Sequence, residues 1–598
     1  MDNIAFPGQT IVDVAIAGLG PTGLILAHML GMRGHRVVVI EREPVYYGNA
    51  RAVYTDDECM RVFQHINCAE EVREKMLQDA PVQFVRRDGS VMAQYFPMKR
   101  PFGWPVVNFF YQPYLETTLT ELLSRYPNVQ VIRGREVIDF DQDDNGVTVT
   151  HQITQQYRFS DSGDARHQRQ GDKDLQRLHA KYFVGADGGR SLVREKLGIR
   201  MNGKSFPEPW LVVDLQQKEG EDALRHLPYF NFVVDPELPV VSCIQPDRFH
   251  RFEFMLQPGQ TKEYMEQADT VRQHLSRFID PDKFEVKRKL VYTFNALIVE
   301  RWRDRRVLLA GDAAHMTPQF MGQGASAGIR DAFNLGWKLS SVLNGQAGDV
   351  LLDSYGRERH DHAKAMIDVS VRLKGVVSMT HPIATLLRDF AIRAILATPM
   401  LCRWFQEGGF KPRPVYTKGR YLGLPRRKRR GPEGGLAPQP DVRLINGHRR
   451  LLDEVLGPGF SLIGLGVDPR ATLTADNLDW LASVRTCFAE IYPYGQRPQG
   501  LHGVQHATPS GLNEIEDVSG EMIGWFASAG FRRDAVAVLR PDRFTFALVA
   551  SRDLNDAISA LRRQMGAASV AAMPRHEPQP PDGGCGRHGP PVTPHTHD

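Results

Sequence analysis

Cysteine is scarce: six are scattered through 598 residues, at 59, 68, 243, 402, 487 and 585, and no two form a C-x-x-C pair. That spacing excludes a disulfide framework, a zinc ribbon and a dithiol redox centre, and it predicts a reducing, cytoplasmic setting. Long apolar runs are missing too. No window approaches the ~18 uninterrupted apolar residues of a membrane span, and the start MDNIAFPGQTIVDVAIAG has no basic segment leading into an apolar one. The sequence therefore predicts a protein neither exported nor membrane-spanning. Nor does one sign of charge dominate: 74 Lys+Arg against 70 Asp+Glu leave +4, too little for a general attraction to nucleic acid or an anionic membrane. There is no internal repeat. What is present is ordinary globular material, 42% hydrophobic and 24% charged, about four times the length of a ~150-residue domain.

Texture divides the chain. Residues 10–205 alternate apolar strand runs with helical patterns, interrupted by a polar insertion at 155–178 with few large apolar residues. Residues 206–300 carry alternating runs such as FNFVV, VVSCI and HRFEFML, the pattern of a sheet with one buried face. Residues 301–424 return to strand and then to long helical patterns. A basic Pro/Gly stretch at 425–440 predicts a linker, 441–572 a separate small α/β unit, and 573–598 a Pro-, Gly- and His-rich disordered tail. The run Arg426 to Arg430 lacks aromatic platforms and reads as solvated linker, not a nucleic-acid site. His360 and His362 read as a helix surface, not a metal site, and no metal is predicted.

The most informative stretch is IVDVAIAGLGPTGLILAHMLGMRGHRVVVIER. A strand leads into Gly18-Leu-Gly20-Pro-Thr-Gly23, a helix follows with Leu24, Ala27 and Leu30 on its apolar face, and a second strand ends at Glu41. Gly18 permits the tight turn, Gly20 lets backbone N–H groups approach a pyrophosphate, and Gly23 lets the helix pack on the strand. The helix N-terminus adds partial positive charge. Glu41 stands where a carboxylate accepts both hydroxyl hydrogens of an adenosine ribose, and it argues against a 2′-phosphate there. Together these predict dinucleotide binding.

A second segment, VLLAGDAAHMTPQFMGQGASAGIRDAFNLGWKLSSVL, supplies Gly311-Asp312, Pro318, Gly322 and Gly324 before a long amphipathic helix, and YFVGADGGRSLVREKLGI places Asp187 at a strand end. With these motifs in this order over roughly residues 10–370, the chain resembles the aromatic-ring flavoprotein monooxygenases of the phenol hydroxylase and p-hydroxybenzoate hydroxylase type. The resemblance implies an α/β fold: a Rossmann-like, GR2-type FAD-binding domain, an interleaved β-sheet substrate domain and a C-terminal thioredoxin-like domain. It implies that Asp312 holds the ribityl chain of FAD, that the loop of Pro318, Gly322 and Gly324 lies beside the flavin ring, and that Asp187 belongs to a motif touching both FAD and NAD(P)H. Arg51 and Gln112 match positions that contact the diphosphate and flavin. The helix after the second loop points its N-terminus at the ring, where negative charge collects on reduction. Two departures stand out: GQGASAG carries Ser326 where relatives often have Asn, and Asn295 stands where many carry Arg. There is only one glycine fingerprint, consistent with NADH or NADPH docking without a domain of its own.

The helical segments LLDSYGRERHDHAKAMIDVSVRLKGVVS and LLRDFAIRAILATPMLCRWFQEGGFKPRPVY most resemble those of the branch that hydroxylates 3-(3-hydroxyphenyl)propionate and 3-hydroxycinnamate. That resemblance implies O2 and a small phenolic acid as co-substrates, with a second hydroxyl entering ortho to the first. A hydroxylase of another phenol or an aromatic polyketide, and a non-catalytic flavoprotein, are the alternatives. The chemistry asks for a mostly apolar pocket that excludes water and holds a base or hydrogen-bond acceptor. Tyr229, His250, Phe252 and Phe254 are candidates for that pocket, and Arg248 or Arg251 for the propionate. No catalytic residue is assigned. The C-terminal unit, without C-x-x-C, is expected to serve packing or a homodimer contact.

Overall fold

A computed structural model describes residues 11–45, 51–154, 174–221, 223–227, 229–422, 431–498 and 511–566. The tail, most of the polar insertion and the run Arg426 to Arg430 lie outside the described residues.

The apolar strand runs of the first segment form the middle of an eight-stranded sheet. Ile11–Ala17 lies at its centre, parallel to Gln176–Gly185 on one side and to Val37–Glu41 on the other, with Val307–Leu309 and Val129–Arg133 extending the parallel run. Near-continuous Val and Ile explain this placement, since both faces of the central strands are covered. The helices Pro21–Gly31 and Gln323–Leu343 pack together against it, close enough that a Cβ on Gly336 would sit 2.8 Å from Met29 Cβ.

The alternating runs form a seven-stranded sheet in the order Phe284–Tyr292, Trp210–Gln217, Phe249–Met255, Val240–Ile244, Phe230–Val233, Val82–Val85, Val91–Tyr95. Its last two strands come from the first segment, Val82–Val85 pairing parallel with Phe230–Val233. Their membership is a long-range pairing that the 206–300 boundary did not anticipate. One face of this sheet packs on the helix Ala268–Leu275 through Leu211, Val213, Phe252 and Phe254. The other faces a large cleft.

A third sheet holds Ser461–Leu465, Cys487–Pro493 and Leu512–Asp517 in parallel, with Ala535–Leu539 and Thr545–Ala550 antiparallel beside them. Residues 431–440 are not a free linker. Gly434 N–H bonds the Thr545 carbonyl, Leu436 N–H that of Pro414, and Gln439 N–H that of Pro101, while Ala437 and Gln439 are buried. Among the described residues, no helix is long and apolar enough to cross a membrane.

Candidate functional site

The cleft measures about 2430 Å³ and is lined from the first sheet, the seven-stranded sheet and the helices beyond residue 350. Pockets for a single drug-sized molecule span roughly 300–1,000 Å³, so this one has room for an extended dinucleotide and a second molecule.

Gly18 to Thr22 line one end. Gly18 has φ +99°, and a Cβ there would lie 2.4 Å from the Ala186 carbonyl oxygen, so glycine is required by both backbone and neighbour. Gly20 caps the helix with no side-chain hydrogen bond, and a Cβ on it would meet nothing within 4 Å. Its open side leaves the uncapped N–H groups of the helix start accessible from the cleft, an arrangement able to receive an anion. Gly23 does not line the cleft; a Cβ there would come within 2.0 Å of the Gly18 carbonyl oxygen, so its role is close packing. At the end of the next strand the Glu41 carboxylate accepts from Leu19 N–H (2.7 Å) and Glu43 N–H (2.9 Å), which fixes it beside the turn.

Further along, Gln112 Oε1 accepts from the N–H groups of Arg51 and Ala52, both at 2.7 Å, and its Nε2 donates to Glu116 Oε1 at 2.6 Å. Gln112 thus holds the Arg51 segment in place; both residues line the cleft. Asp187 also lines it. Its Oδ2 accepts from Val193 N–H at 3.2 Å, its buried Oδ1 meets no hydrogen-bond partner at standard length among the described residues, and burial raises its carboxyl above the ordinary range. Asp312 opens onto the cleft, deep enough for the surrounding protein to raise its carboxyl, with Arg51 pulling the other way. Gly311, at φ +62°, packs against Thr22, where a Cβ would lie 2.5 Å from Oγ1. Gly322 and Gly324 line the cleft at the start of Gln323–Leu343, whose N-terminus has no side-chain cap. Pro318 does not line it; it is buried behind the loop, with its carbonyl accepting from Ser370 Oγ at 2.6 Å.

Sequence reasoning missed the supports of this loop. Asp331 accepts from Gly311 N–H (2.9 Å), His315 Nε2 (2.6 Å) and Arg359 Nε (2.7 Å), all buried. Burial alone would raise the Asp331 carboxyl, but His315 and Arg359 hold it below its usual range. Asp56 accepts from Gln323 Nε2 at 3.2 Å and pairs with Arg330 and with Lys411 (2.9 Å), which lines the cleft. These residues lie on helix and loop positions where charge ordinarily signals a solvated face. His362, expected on a surface, is buried beside Arg359, and burial pushes its imidazole down to about 3.

The substrate-side candidates are redistributed by strand alternation. His250, Phe252 and Phe254 point away from the cleft: His250 bonds Ser242 Oγ at 2.8 Å and the two rings stack in the core. Tyr229 and Arg248 do not line the cleft either. Arg251 does, but it is paired with Asp214 at 2.6 Å. The apolar wall is instead built by Phe84, Tyr95, Phe109, Phe230, Phe232 and Phe320, with Phe84 and Phe230 both packed on Phe232.

A glycine turn before a helix start, a carboxylate fixed beside it and a second helix start without a side-chain cap meet at one cleft large enough for a dinucleotide, and the matches below make the class a flavin-dependent oxidoreductase. Residues 11–370 match the family model described as FAD binding domain, and residues 434–564 match the model described as HcaD C-terminal domain. The chain belongs to this FAD-dependent aromatic-ring monooxygenase family, with FAD as its cofactor. It is 36% identical over 562 residues, 94% of this chain and 96% of the relative, to the 3-(3-hydroxy-phenyl)propionate/3-hydroxycinnamic acid hydroxylase of Klebsiella pneumoniae (strain 342). It is 36% identical over 555 residues, 93% and 95% of the two chains, to the protein of the same name from Shigella sonnei (strain Ss046). In fold it is similar to the flavin-dependent monooxygenase PieE, solved with FAD and substrate (TM-score 0.74, 19% identity, covering 94% of this chain and 100% of that one). Aklavinone-11 hydroxylase, solved with FAD and aklavinone, is also similar (TM-score 0.70, 23% identity, 93% and 99%).

Proposed function

We propose that this protein hydroxylates a small phenolic acid ortho to its hydroxyl, using O2 and NADH or NADPH, with 3-(3-hydroxyphenyl)propionate and 3-hydroxycinnamate as substrates. The observation that carries this reading is the 36% identity across 94% of the chain to hydroxylases of that name. Bound FAD, once reduced, supplies from O2 an electrophilic oxygen atom. The chain's residues do the rest. The Gly18 to Thr22 turn and the helix end behind it would hold the diphosphate, Glu41 the adenosine ribose, and Arg51, Asp187 and Asp312 the middle of the cofactor. Gly322, Gly324 and the helix start would flank the ring. The wall of Phe84, Phe230, Phe232 and Phe320 would seat the substrate ring and keep water away from the reacting oxygen.

Three finer points belong to the same reading. The C-terminal unit is thioredoxin-like, supported by its mixed sheet, and has no dithiol role because it lacks C-x-x-C. A homodimer is supported by the exposed stripe Ile383, Leu386, Leu387 and Phe390 on the helix Pro382–Ala397, at helical spacing. A reducing compartment suits the free cysteines. The test is purified protein loaded with FAD: NADH or NADPH oxidation and O2 uptake should rise on adding 3-(3-hydroxyphenyl)propionate, with a product heavier by one oxygen. Stimulated oxidation by other phenols but not by this acid would move the assignment to another substrate.

A further inference from the structure

One carboxyl in the cleft has an oxygen that no described residue meets. Glu253 lies at the centre of Phe249–Met255, only 4% exposed, and lines the cleft. Strand registers place it in one row across the sheet: Leu290, Val212, Glu253, Val241, Phe232, Phe84, Ala93. Every other member of that row is apolar, and Phe232 and Phe84 belong to the wall that would seat the substrate ring. The adjacent row carries Arg288, Asp214, Arg251 and Cys243. Within it Arg251 Nε donates to Asp214 at 2.6 Å, so its charge is met by Asp214. Arg251 Nη1 lies 3.9 Å from Glu253 Oε1, beyond hydrogen-bond length, and Glu253 Oε2 is buried with no partner among the described residues.

A buried polar atom left without a partner costs roughly 1–3 kcal/mol. One that lines a substrate cleft is explained when its partner is the substrate. Resting on the hydroxylase reading above, we propose that Glu253 is the proton acceptor for the substrate phenol. As oxygen adds to the ring carbon ortho to the hydroxyl, the phenol O–H bond breaks, its proton passes to Oε2 and its electron pair flows into the ring. Glu253 then returns the proton to the ring oxygen while the ring C–H proton leaves to water, restoring aromaticity. NADH or NADPH, one proton from solvent and O2 complete the balance, one oxygen atom entering the ring and the other leaving as water.

The groups facing Glu253 are Arg251 on its own strand, Asp214 and Cys243 on the two neighbours and Arg288 one strand further. Burial outweighs the two arginines and lifts the carboxyl to about 7, where a general base is most effective. The proton acceptor is then ionised above that pH and protonated below it.

The test compares hydroxylation of 3-(3-hydroxyphenyl)propionate by the FAD-loaded wild type and by Glu253→Gln, from pH 6 to 9, counting product and hydrogen peroxide against NADH consumed. The wild-type hydroxylation rate should rise through about pH 7. In the variant it should fall ~100-fold or more and lose that inflection, with hydrogen peroxide taking up the reducing equivalents. A ring-fluorinated substrate, whose phenol ionises more readily, should recover at least tenfold of the loss. A variant with wild-type rate and inflection overturns the assignment to Glu253 alone, whereas a wild type that makes no product overturns the hydroxylase reading on which it rests. If Glu253→Gln does not fold, the wild-type profile decides: a rate flat between pH 6 and 8 overturns the proposal.

Discussion

Gly18 and Gly20 stand two residues apart under opposite constraints, and substitution separates them. Alanine at 18 would set its Cβ 2.4 Å from the Ala186 carbonyl oxygen and hold φ near +99°, so Gly18→Ala should cost about 1–3 kcal/mol and lower the melting temperature of the flavin-free protein. Alanine at 20 would meet nothing within 4 Å. Gly20→Ala should therefore melt like the wild type yet bind FAD at least ~10-fold more weakly, because on the proposed binding mode its methyl would stand where the diphosphate approaches. Flavin fluorescence quenching on titrating the apoprotein gives the affinity; unchanged binding by Gly20→Ala would move the diphosphate away from this turn. Both glycines were legible because strand, turn, helix and terminal acid are local in sequence. Asp312 was legible for the same reason, as part of a contiguous motif. Asp331, which clamps Gly311, His315 and Arg359, was not: an Asp inside a helix carries no local sign that its partners are buried.

Among the elements, Gln323–Leu343 joins the cleft to the C-terminal unit. Its first turn opens on the cleft, while further along Lys338 donates to Glu358 at 2.7 Å and Trp337 Nε1 to Asp542 at 3.0 Å. Arg540 closes the cluster with two 2.8 Å bonds to Glu358. All these charged side chains are fully buried. Removing one member leaves its partners charged in a low-dielectric site, so Glu358→Gln should destabilise by about 3–5 kcal/mol. Lys364→Ala, which breaks the exposed pair with Asp368, should change stability by less than ~0.5 kcal/mol. Thermal unfolding of the two variants side by side checks both, and equal melting temperatures would mean that the buried cluster does not tie the helix down. Strand and helix identities were legible from periodicity, as FSLIGLGV, AVAVLR and FTFALVA show. What periodicity cannot carry is partnership across the chain. Val82–Val85 reads as a short strand, but only folding shows that its neighbour is Phe230–Val233, and residues 431–440 read as a linker because their backbone bonds reach residues 101, 414 and 545.

Taken whole, the molecule is organised around a large cleft whose glycine-turn end was legible and whose aromatic wall was not, because alternation along Phe249–Met255 has two registers and the sequence does not say which faces the core. The structure answers with His250, Phe252 and Phe254 inside, and that choice has a consequence for acid stability. Burial pushes His28 and His151 down to about 4 and His250 and His362 to about 3, and drives His35, His65 and His274 the same way. Each is neutral when folded and takes up a proton on unfolding below about pH 6.5, so the unfolded state binds more protons and stability falls as pH drops. The buried acids oppose this, Glu253 and Asp57 foremost, with Asp187 and Asp312 raised in the same direction. Burial raises both Glu253 and Asp57 to about 7, so between their unfolded values and 7 the folded state holds the extra protons and acid stabilises it. Over pH 7 to 5 each of the first four histidines loses roughly 2 kcal/mol and Glu253 and Asp57 each gain roughly 2. The four histidines set against Glu253 and Asp57 leave a net loss on the order of 3–4 kcal/mol, before His35, His65 and His274 on one side and Asp187 and Asp312 on the other are added. The melting temperature should therefore drop clearly between pH 7 and pH 5. Glu253→Gln, which removes one opposing group, should make that drop steeper, while His250→Asn should make it shallower. Melting curves of the three proteins across this range decide it: a wild-type melting temperature that is flat or rises toward pH 5 would show that the carboxyls, not the imidazoles, govern the balance.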